Sequence, residues 1–351
     1  MATPAAPSET RVIGDPIVTT AETFLTSEYI EQTFEPSPLL GGAFRLSKMP
    51  GTPMGKSRFP WGDKGNHKTD DGREAWLPVA YGSSSNTADF SGGSFLNLNA
   101  DDVGTAQRSD YANYTDAAAI YRTEANANSA PARRLDLFKE RGKQMFRSLS
   151  AQMEGHLWGA NADTAEGTQN QFVGIRTLIS TGDTNTAWKL SRTTYSFHRN
   201  NNTTVSTDFA SAGLSSMRAM WLNCSGNGGF DKPTCIGTTP TLFSAYEAEL
   251  EEAHRLTSLK SADASPESVL YKGVPIFHTT NCLACAMYFL NLDYLWVVVP
   301  SGQEFETVHY DEKQFPNQAV KEAIRVFVRG TWGFGRMDRQ GVIDGFTDSA
   351  I

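Results

Sequence analysis

This chain is short of nearly everything that chemistry or membranes require. It has four cysteines in 351 residues, too few for a disulfide framework, and a reducing compartment would leave them as thiols. Its six histidines, His67, His156, His198, His254, His278 and His309, are scattered with no two at ligand spacing. No apolar run approaches the roughly 20 residues of a membrane helix, the best being Tyr294 to Val299. The stretch from Met1 to Ser8 lacks the basic start and apolar run of a secretory signal, so synthesis in the cytoplasm is the expectation. Positive charge is also scarce, with 31 Lys and Arg against 39 Asp and Glu and a net charge of −8. Such a surface repels phosphate and excludes a tight, non-specific grip on nucleic acid. DNA near this protein would be enclosed rather than held.

The few constellations that could carry chemistry each have a plainer explanation. Cys282 and Cys285 form a Cys-x-x-Cys pair, with Cys224 and Cys235 upstream. A structural zinc wants two close pairs, yet the upstream pair is widely spaced and Cys285 runs directly into an apolar strand, so small buried hydrophobes are expected. A nucleophile pair of His278 with Cys282 lacks a local orienting group or oxyanion site. The glycine-rich run Gly330 to Gly335 has neither the strand-loop-helix context nor the Lys-Ser/Thr pair of a phosphate loop and reads as a twisted or bulged strand. Asp101, Asp102, Asp163 and Glu166 read as ordinary surface acids. No residue is assigned a catalytic, cofactor-binding or metal-binding role.

What is present is a long chain, 39% hydrophobic and 20% charged, with abundant Gly, Ser, Thr and Asn, arranged in five segments. Residues 1–45 read as an arm with one short helix, since Thr19 to Glu22 matches a capping box and Phe24, Leu25, Tyr29 and Ile30 share a narrow stripe. Residues 46–130 are rich in turn formers and poor in periodic apolar pattern. A structureless loop of that length is uncommon in a compact domain, so a projecting hairpin is expected, stabilised by contacts outside its own subunit. Residues 131–195 open with the strongest helix, Pro131 to Gly159, whose stripe of Leu135, Phe138, Met145, Phe146, Leu149, Met153 and Leu157 recurs at three-and-four spacing. Its basic residues Arg133, Arg134, Lys139, Arg141, Lys143 and Arg147 form a solvated face or an ion-pair surface toward acidic neighbours.

Residues 196–303 hold two helices, Asp208 to Cys224 behind a Ser206-Thr207 cap and Thr241 to Leu256, with a short strand at Thr234 to Thr238. From Tyr271 the chain is a ladder of strands and turns through Ala286 to Val299, with residues 304–351 returning to the domain that carries the long helix. The order of elements implies an α+β fold.

The ordered series Ser85 to Gly92, Thr105 leading into the long helix, Pro233 to Thr239, Tyr271 to Pro275, Met287 to Asn291 and Arg336 to Gly345 resembles the major capsid proteins of tailed bacteriophages. The resemblance covers most of the chain from about residue 80. It implies the Hong Kong ninety-seven capsid fold: N-terminal arm, extended loop, peripheral domain with a long spine helix, and axial domain. The implied function is a major capsid protein that self-assembles as hexamers and pentamers into an icosahedral shell around viral double-stranded DNA, bound without sequence specificity. The resemblance places the protein in the virion after assembly in the host cytoplasm, with no cofactor and no membrane partner, beside a portal and a decoration protein. With only about 45 residues ahead of the loop, too few for a built-in scaffolding domain, a separate scaffolding protein, or none, is expected. Some members crosslink subunits through a loop lysine; Lys64 and Lys68 lie in that region, and no motif places either. The alternatives are an encapsulin-like compartment enclosing a cargo enzyme and a cytoplasmic hydrolase using Cys282 or Cys285.

Overall fold

A computed structural model describes residues 66–67 and most of 72–348; 93–103, 161–169, 255–269, 301–305, 312–319 and several shorter stretches lie outside the described residues. The arm, Lys64, Lys68, Asp101, Asp102, Asp163 and Glu166 also lie outside them.

In chain order, β1 (Asn66–His67) precedes the hairpin strands β2 (Glu74–Ala80) and β3 (Gly104–Asp110), then β4 (Ala112–Tyr121), α1 (Arg122–Ala127) and α2 (Pro131–Trp158). The middle of the chain supplies α3 (Ile175–Leu178), β5 (Thr186–Ala187), β6 (Leu190–Ser191), β7 (Asn201–Thr204), α4 (Phe209–Cys224), β8 (Cys235–Thr238) and α5 (Pro240–His254). The remainder is β9 (Leu270–Tyr271), β10 (Val274–His278), β11 (Met287–Leu290), β12 (Leu295–Val298), β13 (Glu306–Asp311), β14 (Val320–Phe334) and β15 (Gly341–Asp344).

These strands make two principal sheets. In the first, β14 is the centre: β4 and β13 pair antiparallel with its first two-thirds, and β12 with its end, while β1 lies parallel to β12. The second runs β7-β15-β11-β8-β10-β9. At its edge Lys272 and Gly273, with φ of 50° and 80°, form the two-residue turn joining β9 to β10, the left-handed geometry that matches strand twist.

The long helix forms as its pattern predicts. Pro131 sits in its first turn, where a missing N–H costs nothing, and Met145, Phe146, Leu149, Met153 and Leu157 are buried along one stripe. The side chains of Leu135 and Phe138 lie outside the described residues. Its 28 residues span about 42 Å at 1.5 Å each. It lies against β4: Tyr114 Oη and His156 Nδ1 are 3.0 Å apart, and Arg141 donates to the Ala119 carbonyl and pairs with Glu124 at 2.5 Å. Arg141 therefore serves its own subunit, whereas Arg147 is exposed. The end of α2 reaches the second sheet, where Trp158 packs on Phe277 and Tyr288. Gly237 permits that approach, since a Cβ there would lie 2.7 Å from the indole.

Four expectations are corrected. The turn-rich segment does not extend to residue 130: Ala112–Tyr121 is a full sheet strand against β14, its Ala112, Tyr114, Ala118 and Ile120 buried and the alternate residues largely exposed. Small alanines carry this alternation, so the apolar pattern is faint. The run Ala286 to Val299 is not continuous. It breaks at Asn291, whose side chain accepts from the Asp293 N–H, and a 3₁₀ turn then sends β12 into the first sheet while β11 stays in the second. The boundary expected at 303 thus falls near Asn291. Residues 304–351 also divide: β13 and β14 join the first sheet, whereas β15 joins the second between β7 and β11. Finally, α4 is not capped by Ser206 or Thr207. The Phe209 N–H donates to the carboxylate of Asp348, 139 residues away. The helix α5 matches expectation more closely, with Pro240 first and the Thr239 hydroxyl accepting from the Leu242 N–H at 3.5 Å.

Candidate functional site

The two faces of the β2–β3 hairpin differ. Glu74 opposes Asp110 at its base and Ala80 opposes Gly104 at the far end of the described ladder. One face turns inward. Gln107 Nε2 is 3.2 Å from His198 Nδ1, Ser109 Oγ is 3.0 Å from Thr331 Oγ1, and the Arg108 N–H donates to the Trp188 carbonyl. Beyond β2, Tyr81 stacks on Phe197 at 4.9 Å. The expectation that the hairpin depends on contacts outside its own subunit is therefore wrong for this part, because alternation along β3 gives the body a row of directional polar groups. The other face presents Trp76, 55% exposed, with the Arg108 guanidinium 3.9 Å above its ring. A large aromatic with a stacked arginine is the composition of interface anchors.

The hairpin base meets the turn between β5 and β6. Trp188 and Lys189 form that turn, with φ of 55° and 54°. Trp188 is buried against Trp296, ring centroids 3.8 Å apart, in space left by Gly333. Lys189 Nζ lies 2.9 Å from Glu74 and 3.2 Å from Asp110. Burial opposes its charge, but the bonds to the two carboxylates outweigh that cost and raise its pKa. Nothing in Thr186 to Ser191 announces this turn, which lacks the Asn-Gly signal of a two-residue hairpin.

A second polar cluster lies where the chain crosses between the sheets. Asp231 accepts from Asn291 Nδ2 at 3.0 Å and from Tyr294 Oη at 2.9 Å and pairs with Arg339 at 2.9 Å and Arg336 at 3.6 Å. The buried Gln340 amide accepts from the Asn291 N–H at 2.8 Å and donates to its carbonyl at 3.1 Å. Both crossings, β11 to β12 and β14 to β15, are held by this cluster.

The sequence candidates for chemistry are not brought together. Cys282 is buried in the larger of the two apolar cores, and burial pushes its thiol up to about 12, which opposes the thiolate that a nucleophile or zinc ligand needs. Cys285 packs on the other core, its thiol donating to the Asp348 carbonyl. Burial likewise raises the thiols of Cys224 and Cys235. His278 packs on Phe243, His156 bonds Tyr114, and His309 stands opposite Ile324 in β13. The side chains of His67 and His254 lie outside the described residues. The glycine-rich run ends β14 as a strand. Among the described residues, no three His, Cys, Asp or Glu side chains are placed to hold a metal.

No protein-family model and no curated protein matches this sequence. Solved structures do. The capsid asymmetric unit of cyanophage A-1(L) is similar at TM-score 0.52 and 16% identity, with 81% of this chain and 91% of that chain covered. The capsid of a native GTA particle matches at TM-score 0.53 and 10% identity, covering 86% and 95%. The SrpI encapsulin of Synechococcus elongatus matches at TM-score 0.50 and 8% identity, covering 82% and 86%. The class this architecture defines is a fold class. The chain has the Hong Kong ninety-seven capsid fold.

Proposed function

We propose that this protein is a major capsid protein whose copies assemble as hexamers and pentamers into an icosahedral shell enclosing double-stranded DNA. The observation that carries the reading is a capsid fold matched over more than four-fifths of both chains. The hairpin supports it, because its outward face with Trp76 and Arg108 remains exposed in the isolated subunit and suits one of many moderate contacts between copies. The net charge of −8 limits adhesion between shell and genome. The protein acts structurally, without enzymatic activity. It resides in the virion after assembly in the host cytoplasm, aided by a separate scaffolding protein and accompanied by a portal and a decoration protein.

Negative-stain microscopy of the expressed chain, alone and with its genomic neighbours, tests this reading. Uniform shells are expected, and a strictly monomeric product under all conditions would sink it. A second reading, a compartment enclosing protein cargo, is favoured by the likeness to the SrpI encapsulin. Nuclease-protected DNA inside the shells separates the first from the second. Replacing Cys282 and Cys285 by Ser should leave assembly intact.

A further inference from the structure

The turn at Trp188 and Lys189 is unusual in a way its side chains explain. Both residues sit in the left-handed region, which glycine or asparagine adopts readily and a bulky residue does not. Consecutive bulky residues there persist only where the surroundings require them. Trp188 fills the space over Gly333, where a Cβ would lie 2.7 Å from its indole, and its carbonyl accepts from the Arg108 N–H. Trp188 thereby anchors the turn in the core. Lys189, carried on that anchor, reaches outward to the hairpin.

Its two partners come from different strands. Glu74 and Asp110 are direct partners in the β2–β3 register, and like charges placed opposite each other repel. A single ammonium, 18% exposed and within 3.2 Å of both carboxylates, converts that repulsion into a bridge. The base of the hairpin therefore closes on a charge supplied by the body. Besides the apolar packing of Ala75 and Leu77, the two are joined by directional polar links, Gln107 to His198 and Ser109 to Thr331, so the hairpin's direction depends on where these groups are held.

We infer that Lys189 is a positioning residue that fixes the β2–β3 hairpin to the subunit body and sets the direction in which the hairpin leaves it. Its importance for assembly rests on the shell reading above; its hold on the hairpin does not.

Hydrogen exchange on the unassembled full chain tests this. Lys189→Gly suits the left-handed backbone, so the turn and Trp188 stay in place while the bridge is lost. Exchange in 74–80 and 104–110 should accelerate, roughly tenfold, while 112–121 and 322–329 keep their wild-type protection. Lys189→Arg, which retains the charge, should return hairpin exchange toward wild type. In a Glu74→Gln, Asp110→Asn background, Lys189→Gly should add no further acceleration. Unchanged hairpin exchange in Lys189→Gly would overturn the inference, and so would acceleration spread equally over β4 and β14. In microscopy, Lys189→Gly should give fewer and less regular shells than wild type. Absence of shells from the wild type counts against the shell reading alone, because the exchange result is obtained without assembly.

Discussion

Replacing Gly333 by Ala should destabilise the subunit through one identifiable collision. An added Cβ would lie 2.7 Å from Cε2 and Cζ2 and 2.8 Å from Nε1 of Trp188, closer than non-bonded carbons sit. The indole has little room to retreat, because it is 1% exposed and its neighbour Trp296, opposite Gly333 in the ladder, is 3% exposed. Forcing a methyl into such a core costs about 1–3 kcal/mol. Against this, alanine in a strand recovers about 0.5–1 kcal/mol of the entropy that glycine loses on folding. The balance is a loss centred on about 1 kcal/mol, which for a chain of 351 residues lowers the melting temperature by roughly 1–2 °C. Thermal melts followed by near-ultraviolet circular dichroism report both stability and indole packing. A Trp188→Phe variant supplies the control: with the smaller ring in place the alanine should do less harm, giving a coupling of about 1 kcal/mol in a double-mutant cycle. A Gly333→Ala protein as stable as wild type, or one whose loss is the same in the Trp188→Phe background as with the indole present, would refute this account of the core.

Other sites give distinct outcomes. Gly155 lies within α2 with nothing within 4 Å of an added Cβ, so Gly155→Ala should raise stability of the unassembled subunit by about 0.5–1 kcal/mol in denaturant titration. His198 is buried, and desolvation, with the Arg192 charge adding to it, lowers its pKa to about 4. Its contribution is complete above the ordinary value of 6.5 and fades as pH falls toward 4, where the unfolded chain takes up a proton that the folded site resists. At 1.36 kcal/mol per pH unit the loss amounts to about 3 kcal/mol, and His198→Gln should remove that part of the acid dependence measured by urea unfolding at about pH 7, 5.5 and 4. Asp231→Asn keeps the shape of the crossing cluster but removes the charge facing Arg336 and Arg339, and should lower the denaturant midpoint by an amount equivalent to about 1–2 kcal/mol.

How much of this was legible in advance depended on whether each element advertises itself locally. The long helix did, because Met145, Leu149, Met153 and Leu157 repeat every fourth residue behind Pro131. The β9–β10 turn did, because Lys272-Gly273 carries a glycine where φ is positive. Strand β4 did not, since alanine contributes too little contrast to mark a buried face. The break at Asn291 left no sign either: all residues of β11 and β12 are buried, and a run covered on both faces has no alternation to interrupt. The cap on α4 was out of reach for another reason, its acceptor being Asp348 from the far end of the chain.

The candidate site divides along the same line. Local pattern was enough to determine an α+β chain with one dominant helix, a turn-rich segment ahead of it and cysteines better suited to packing than to catalysis, because helix periodicity, turn chemistry and burial preference act over a few residues. Only tertiary structure decided that Lys189 meets Glu74 and Asp110, that Asp231 holds both crossings between the sheets, and that Gly333 makes room for Trp188. Those contacts join residues 60 or more positions apart, and their energy comes from desolvation and close approach in the packed state, which no short window of sequence contains.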